Sequence, residues 1–135
     1  MIEARETWQT QETDELLDAI VDLRDRDEAA RFLRDLCTLG ELHDLAQRWQ
    51  VVRLLAEGLH YGEVARRSGA STATVTRIAG WLHHGMGGYR QALERRAARR
   101  GEPLPSLIGG GPIGRSPGVA GGGVSAAVGV EAAQS

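Results

Sequence analysis

Lysine is absent from this 135-residue chain, and all 16 of its basic residues are arginine. A single cysteine, Cys37, excludes an internal disulfide. It sits in the run Phe32-Leu33-Arg34-Asp35-Leu36-Cys37, where it reads as a small buried hydrophobe. No apolar stretch approaches the roughly 20 residues that cross a bilayer, and the acidic N-terminus lacks the charged-then-apolar order of a signal peptide. The expectation is a cytoplasmic protein with no membrane partner. Nothing alternates with period two for long, so no sheet is expected and the fold class is all-α. There is no nucleophile–base pair in a recognisable frame, no glycine-rich loop between strand and helix, and no paired carboxylates in a plausible cleft. An enzyme is not expected, and no residue is assigned a catalytic role. The histidines are His43, His60 and the pair His83-His84. Neighbours on a helix diverge by about 100°, so the pair is poorly placed to chelate one ion, and no Cys or His cluster with ligand spacing accompanies it. No metal is expected.

Charge is present but unevenly spread. The formal net charge is −2, which by itself says nothing in favour of nucleic acid. From Met1 to Asp44, thirteen acids stand against five arginines. From Leu45 to Arg100, ten arginines stand against Glu57, Glu63 and Glu94. A basic half of this kind suits a polyanion partner.

Residues 1–13 are polar except for Trp8 and read as a flexible N-terminal arm. A helical body spans 14–100. Its first helix opens at Asp14, a plausible N-cap, and carries Leu16, Leu17, Ile20, Val21 and Leu23. The run Arg24-Asp25-Arg26-Asp27 is a solvated hinge, with Asp27 able to cap a second helix that Thr38-Leu39-Gly40 ends. Glu41 to Glu57 is the longest regular pattern, with Leu42, Leu45, Ala46, Trp49, Val52 and Leu55 at steps of three and four. Gly58 stops it. Tyr89 to Arg99 reads as the last helix, and Trp49 and Trp81 as core. The Arg95-Arg96 and Arg99-Arg100 pairs fit a solvated helix end. Residues 101–135 are rich in Gly, Pro, Ala, Ser and Val, with no aromatic side chain. Such a segment buries too little to offset its ordering entropy, and a disordered tail is expected.

The chain is organised around Tyr61 to Leu82, YGEVARRSGASTATVTRIAGWL. A short helix opens near Tyr61, and Gly69, four residues after Ala65, supplies the positive φ of a tight turn. Ser71 is a good N-cap for a second helix, along which Val75, Ile78 and Leu82 share a face. Ala65 is the small residue that a steep crossing needs, and Val64, Val75 and Ile78 face inward. This is the spacing of a DNA-binding helix-turn-helix. Its outward face carries Ser71, Thr72, Thr74, Thr76 and Arg77, whose hydroxyls and guanidinium can bond phosphates or base edges. Arg66 and Arg67 fall near phosphates. The predicted partner is double-stranded DNA, and the predicted role is a sequence-specific transcription regulator that represses by occluding a promoter. The alternative is a helical protein-interaction or small-ligand-sensing module that has lost operator binding. A body of short helices makes a thin core, so the apolar faces of the first two helices point to a homodimer, which also matches two half-sites.

From Leu16 to Arg95 the sequence resembles the Trp repressor superfamily, closest to its YerC/YecD-type branch of small bacterial regulators. The carrying residues are Asp35-Leu36-Cys37-Thr38, Leu45-Ala46-Gln47-Arg48, Gly69-Ala70-Ser71-Thr72-Ala73-Thr74-Val75-Thr76-Arg77 and Ala92-Leu93-Glu94-Arg95. The resemblance implies an all-helical, intertwined homodimer that binds DNA. In the family's best-known member two arginines hold a tryptophan corepressor, and Arg48 and Arg77 fall on those positions. Here, however, Ile78 stands where that site has a space-making glycine, and Trp81 replaces a serine. Both can fill the space an indole needs, so no cofactor, tryptophan included, is expected. Arg48 and Arg77 are then left for phosphate contact, an ion pair or another small anion.

Overall fold

The computed structural model describes residues 6–103, and residues 1–5 and 104–135 lie outside it, with them most of the expected tail. Six α-helices and no strand occupy the described residues. They are α1 (Gln11–Val21), α2 (Arg26–Leu36), α3 (Leu39–Ala56), α4 (Tyr61–Ser68), α5 (Thr72–His84) and α6 (Gly88–Arg100). The chain divides into two compact units between His43 and Asp44.

In the first unit each helix is started by a side chain. The Thr10 hydroxyl accepts the Thr13 N–H at 3.1 Å, so α1 begins one turn before the predicted cap at Asp14 and takes in the end of the expected arm. Asp25 rather than Asp27 caps α2, accepting the Glu28 N–H at 2.9 Å, while Glu28 in turn accepts from the Arg24 N–H at 3.0 Å. Thr38, Leu39 and Gly40 do not simply end α2. Thr38 Oγ1 accepts from the Glu41 N–H at 3.1 Å and Glu41 Oε1 from the Thr38 N–H at 2.9 Å. This reciprocal capping box starts α3, with Leu39 and Gly40 in its first turn. Neither α1 nor α2 contains a buried residue. Cys37 is only half-buried, because it follows the last turn of α2 in extended backbone instead of lying on an inward face.

The second unit holds the core. Val51, Val52 and Leu54 of α3 pack with Val64, Ala70, Val75, Ile78, Leu82 and Leu93. The predicted stripe along α3 is therefore only part of the picture. Its last two turns are buried around more than one face, while Leu45 remains exposed. Helix α5 touches both α4 and α6. Trp49 and Tyr89 join α3 to α6 with ring centroids 6.5 Å apart and planes tilted by 37°. Trp81 departs from the core expectation and is 48% exposed. Val75, Ile78, Ala79 and Leu82 form the buried stripe of α5, and position 81, about 100° round the helix from Leu82, lies at its edge.

Ile78, 1% exposed, is among the largest fully buried side chains. Ile78→Ala is expected to lower stability by about 2–5 kcal/mol, through lost transfer energy and a cavity between helices. Denaturant unfolding of the two proteins checks this.

Candidate nucleic-acid interface

Helix α5 is set by its two ends. At the start, the Ser71 hydroxyl accepts the Thr74 N–H at 3.1 Å and lies 3.1 Å from Thr74 Oγ1, as the predicted N-cap should. Before it, Gly69 has φ +79° and its N–H closes α4 on the Ala65 carbonyl. That left-handed residue makes the turn between α4 and α5, and a side chain there would be strained. Gln47, from α3, donates its amide to the Ser68 carbonyl at 3.0 Å and so pins the last turn of α4. At the far end, Gly85 donates to the Trp81 carbonyl at 2.8 Å, and a Cβ on Gly85 would collide with that carbonyl group. The Arg90 guanidinium donates to the Leu82 carbonyl at 3.3 Å and lies 3.5 Å from that of His83, placing a cation on the C-terminal end of α5. Sequence reasoning missed Gln47 and Arg90, since their partners lie 21 and 7–8 residues away.

Because Val75, Ile78, Ala79 and Leu82 bury one face, the opposite face is determined by helix geometry. Ser71, Thr72, Thr76 and Arg77 are exposed, and Thr74 is half-buried because its hydroxyl faces the cap. The Arg77 guanidinium donates to Thr74 Oγ1 at 3.3 Å, so these two predicted residues act together. Arg48 is exposed on α3, and among the described residues neither it nor Arg77 forms an ion pair.

Arg66 and Arg67 converge on one carboxylate. Arg66 Nε donates to Glu63 Oε1 at 3.2 Å and its terminal nitrogen also bonds Glu63, while Arg67 Nε donates to Glu63 Oε2 at 2.9 Å. These are i,i+3 and i,i+4 pairs on one exposed helix face. The hydrogen bond from Arg66, followed by that from Arg67, holds the Glu63 carboxyl below its ordinary range. In return, Glu63 raises the Arg66 guanidinium further above neutrality. Tyr61, at the start of α4, is partly buried against the core, and burial pushes its phenol up. No group of three or more His, Cys, Asp or Glu is placed to hold a metal among the described residues.

The arrangement is a helix-turn-helix whose second helix offers hydroxyls and a guanidinium, with two further guanidiniums beside it. The Trp repressor protein family model matches residues 11–97. The chain belongs to the Trp repressor superfamily, in its YerC-type branch, a family of DNA-binding regulators. It is 44% identical to the uncharacterized protein YerC of Bacillus subtilis over 84 residues, covering 62% of this chain and 81% of YerC. Two solved structures share the fold. One is a TrpR-like protein from Eubacterium eligens, with a TM-score of 0.63 and 40% identity over 66% of this chain and 92% of that one. The other is a putative Trp repressor from Staphylococcus aureus, with a TM-score of 0.62 and 39% identity over 66% and 89%. No helix of the described residues is long and apolar enough to cross a membrane.

Ser71→Ala removes the acceptor at the start of α5 and is expected to cost about 1 kcal/mol, within the 0.5–2 kcal/mol range of N-cap losses. Ser71→Asp restores an acceptor and should recover most of it. Thermal unfolding of both variants measures the difference.

Proposed function

We propose that this chain is a sequence-specific DNA-binding transcription regulator, a repressor that works as a homodimer in the cytoplasm and blocks a promoter by occupying it. The observation that carries the reading is the two-sided character of α5. One side is closed into the core by Val75, Ile78, Ala79 and Leu82. The other presents Thr72, Thr76 and Arg77 to solvent, with Arg66 and Arg67 exposed on α4. In this reading Thr72, Thr76 and Arg77 face base edges, Ser71 and Thr74 hold the helix N-terminus against phosphate, and Arg66 and Arg67 add phosphate contacts.

Two features support the finer parts. Leu17, Ile20, Val21, Leu36 and Leu39 are exposed, and no residue of α1 or α2 is fully buried within the single chain. A second copy is the partner that would cover these side chains and supply the second half of a two-fold DNA contact. Ile78 is packed into the core, so the inward side of α5 is filled by the chain itself. This supports DNA binding without a tryptophan corepressor. It leaves Arg48 for phosphate or another small anion.

Fluorescence anisotropy with duplexes selected from a random-sequence pool tests the reading. Without any added small molecule, the protein should prefer a selected duplex over its shuffled form, and the affinity should fall steeply with salt. Arg77→Ala and Thr72→Ala should each cost about 1–3 kcal/mol on the selected duplex if those side chains touch bases. Binding with no preference over shuffled DNA would leave a helical interaction module instead. Sedimentation at micromolar concentration should give a dimer, and a monomer would contradict the two-fold arrangement.

A further inference from the structure

Only three acids lie between Leu45 and Arg100, and Glu63 is one of them. Its position is particular. One carboxylate takes Nε and a terminal nitrogen of Arg66 together with Nε of Arg67. The arginine side chains are nonetheless 70% and 49% exposed, so a phosphate can reach them. Arg66 has turned its fork, the edge best shaped for a phosphate, toward Glu63. Of the local positive charge, half is neutralised before any nucleic acid arrives.

Resting on the DNA-binding reading above, we propose that Glu63 is a specificity-setting residue, a carboxylate clamp that withholds Arg66 and Arg67 from duplexes that do not engage α5. Binding without sequence preference draws almost wholly on phosphate contacts. A shuffled duplex that draws on these two arginines must displace Glu63 or approach its negative charge. A duplex that satisfies Thr72, Thr76 and Arg77 is anchored by base contacts, which fix its register. It can be held with the Glu63 pairs intact, Arg66 and Arg67 meeting phosphate only through the guanidinium nitrogens that Glu63 leaves free. The clamp thus weakens the unwanted complex more than the wanted one, which is how repulsive elements create discrimination.

The test is Glu63→Gln in the full chain, titrated against a selected duplex and its shuffled form across a salt series. The side chain lies on the surface of α4, outside the core. The shuffled duplex should bind several-fold more tightly than it binds the wild type, and its log–log salt slope should steepen by about one released counterion. The selected duplex should change less, so the affinity ratio narrows. Glu94→Gln removes the same charge from an exposed position on α6 and should leave the ratio unchanged. Equal gains from the two variants, or a Glu63→Gln protein whose ratio matches wild type, would overturn the clamp alone. A wild-type protein that holds no duplex even at low salt would overturn the DNA-binding reading beneath it.

Discussion

The burial of one side of α5 is the constraint from which the rest of the candidate site follows. Val75, Ile78 and Leu82 close against Val51, Val52 and Leu54 of α3, with Val64 and Leu93 completing the cluster. Each fully buried aliphatic side chain is worth about 1.5–3 kcal/mol relative to exposure. Together they fix the rotation of α5 about its own axis. Once that rotation is fixed, a period of 3.6 residues decides that Thr72, Thr76 and Arg77 point outward. The ends are held as firmly: Ser71 and Gly69 define where α5 starts, and Gly85 and Arg90 define where it stops. Side chains held in register by such a helix lose less entropy on contact with a partner.

The helix-turn-helix was legible in the residues because its determinants are local. Gly69, Ser71 and the Val75–Ile78–Leu82 spacing lie within fourteen residues of one another, and each has a single structural use. The helix starts of the first unit were read less well. Asp14, Asp25, Asp27, Thr10 and Thr38 are all competent caps, and periodicity alone does not choose between positions one turn apart. Gly40 looked like a stop, yet the Thr38–Glu41 capping box carries the chain through it as the first turn of α3. Trp81 was expected in the core on size. One turn past Ile78, at the edge of the buried stripe, it is left half in water. The Glu63 pairs with Arg66 and Arg67 follow i,i+3 and i,i+4 spacing and could have been read from the sequence, whereas the contacts of Gln47 and Arg90 depend on side-chain reach between separate elements, which a linear pattern does not encode.

The division of charge along the chain takes on a physical meaning when set against the two units. The acidic residues dominate up to Asp44, a stretch that takes in the unit whose helices α1 and α2 contain no fully buried residue. The arginines dominate in the unit that owns the core and the helix-turn-helix. A concentration of arginine on one stretch of a chain favours contact with a polyanion. Within the basic part the charge is also moderated, since Glu63 engages two of its ten arginines.

Amide chemical-shift mapping of the full chain during titration with a selected duplex tests the central claim most directly. The largest changes are expected from Arg66 to Arg77, across the end of α4, the Gly69 turn and the first turns of α5, with the buried positions Val51, Val52 and Leu93 little affected. Changes concentrated instead on Arg95–Arg100 of α6 or on α1 and α2, with the Ser71–Arg77 segment silent, would contradict it.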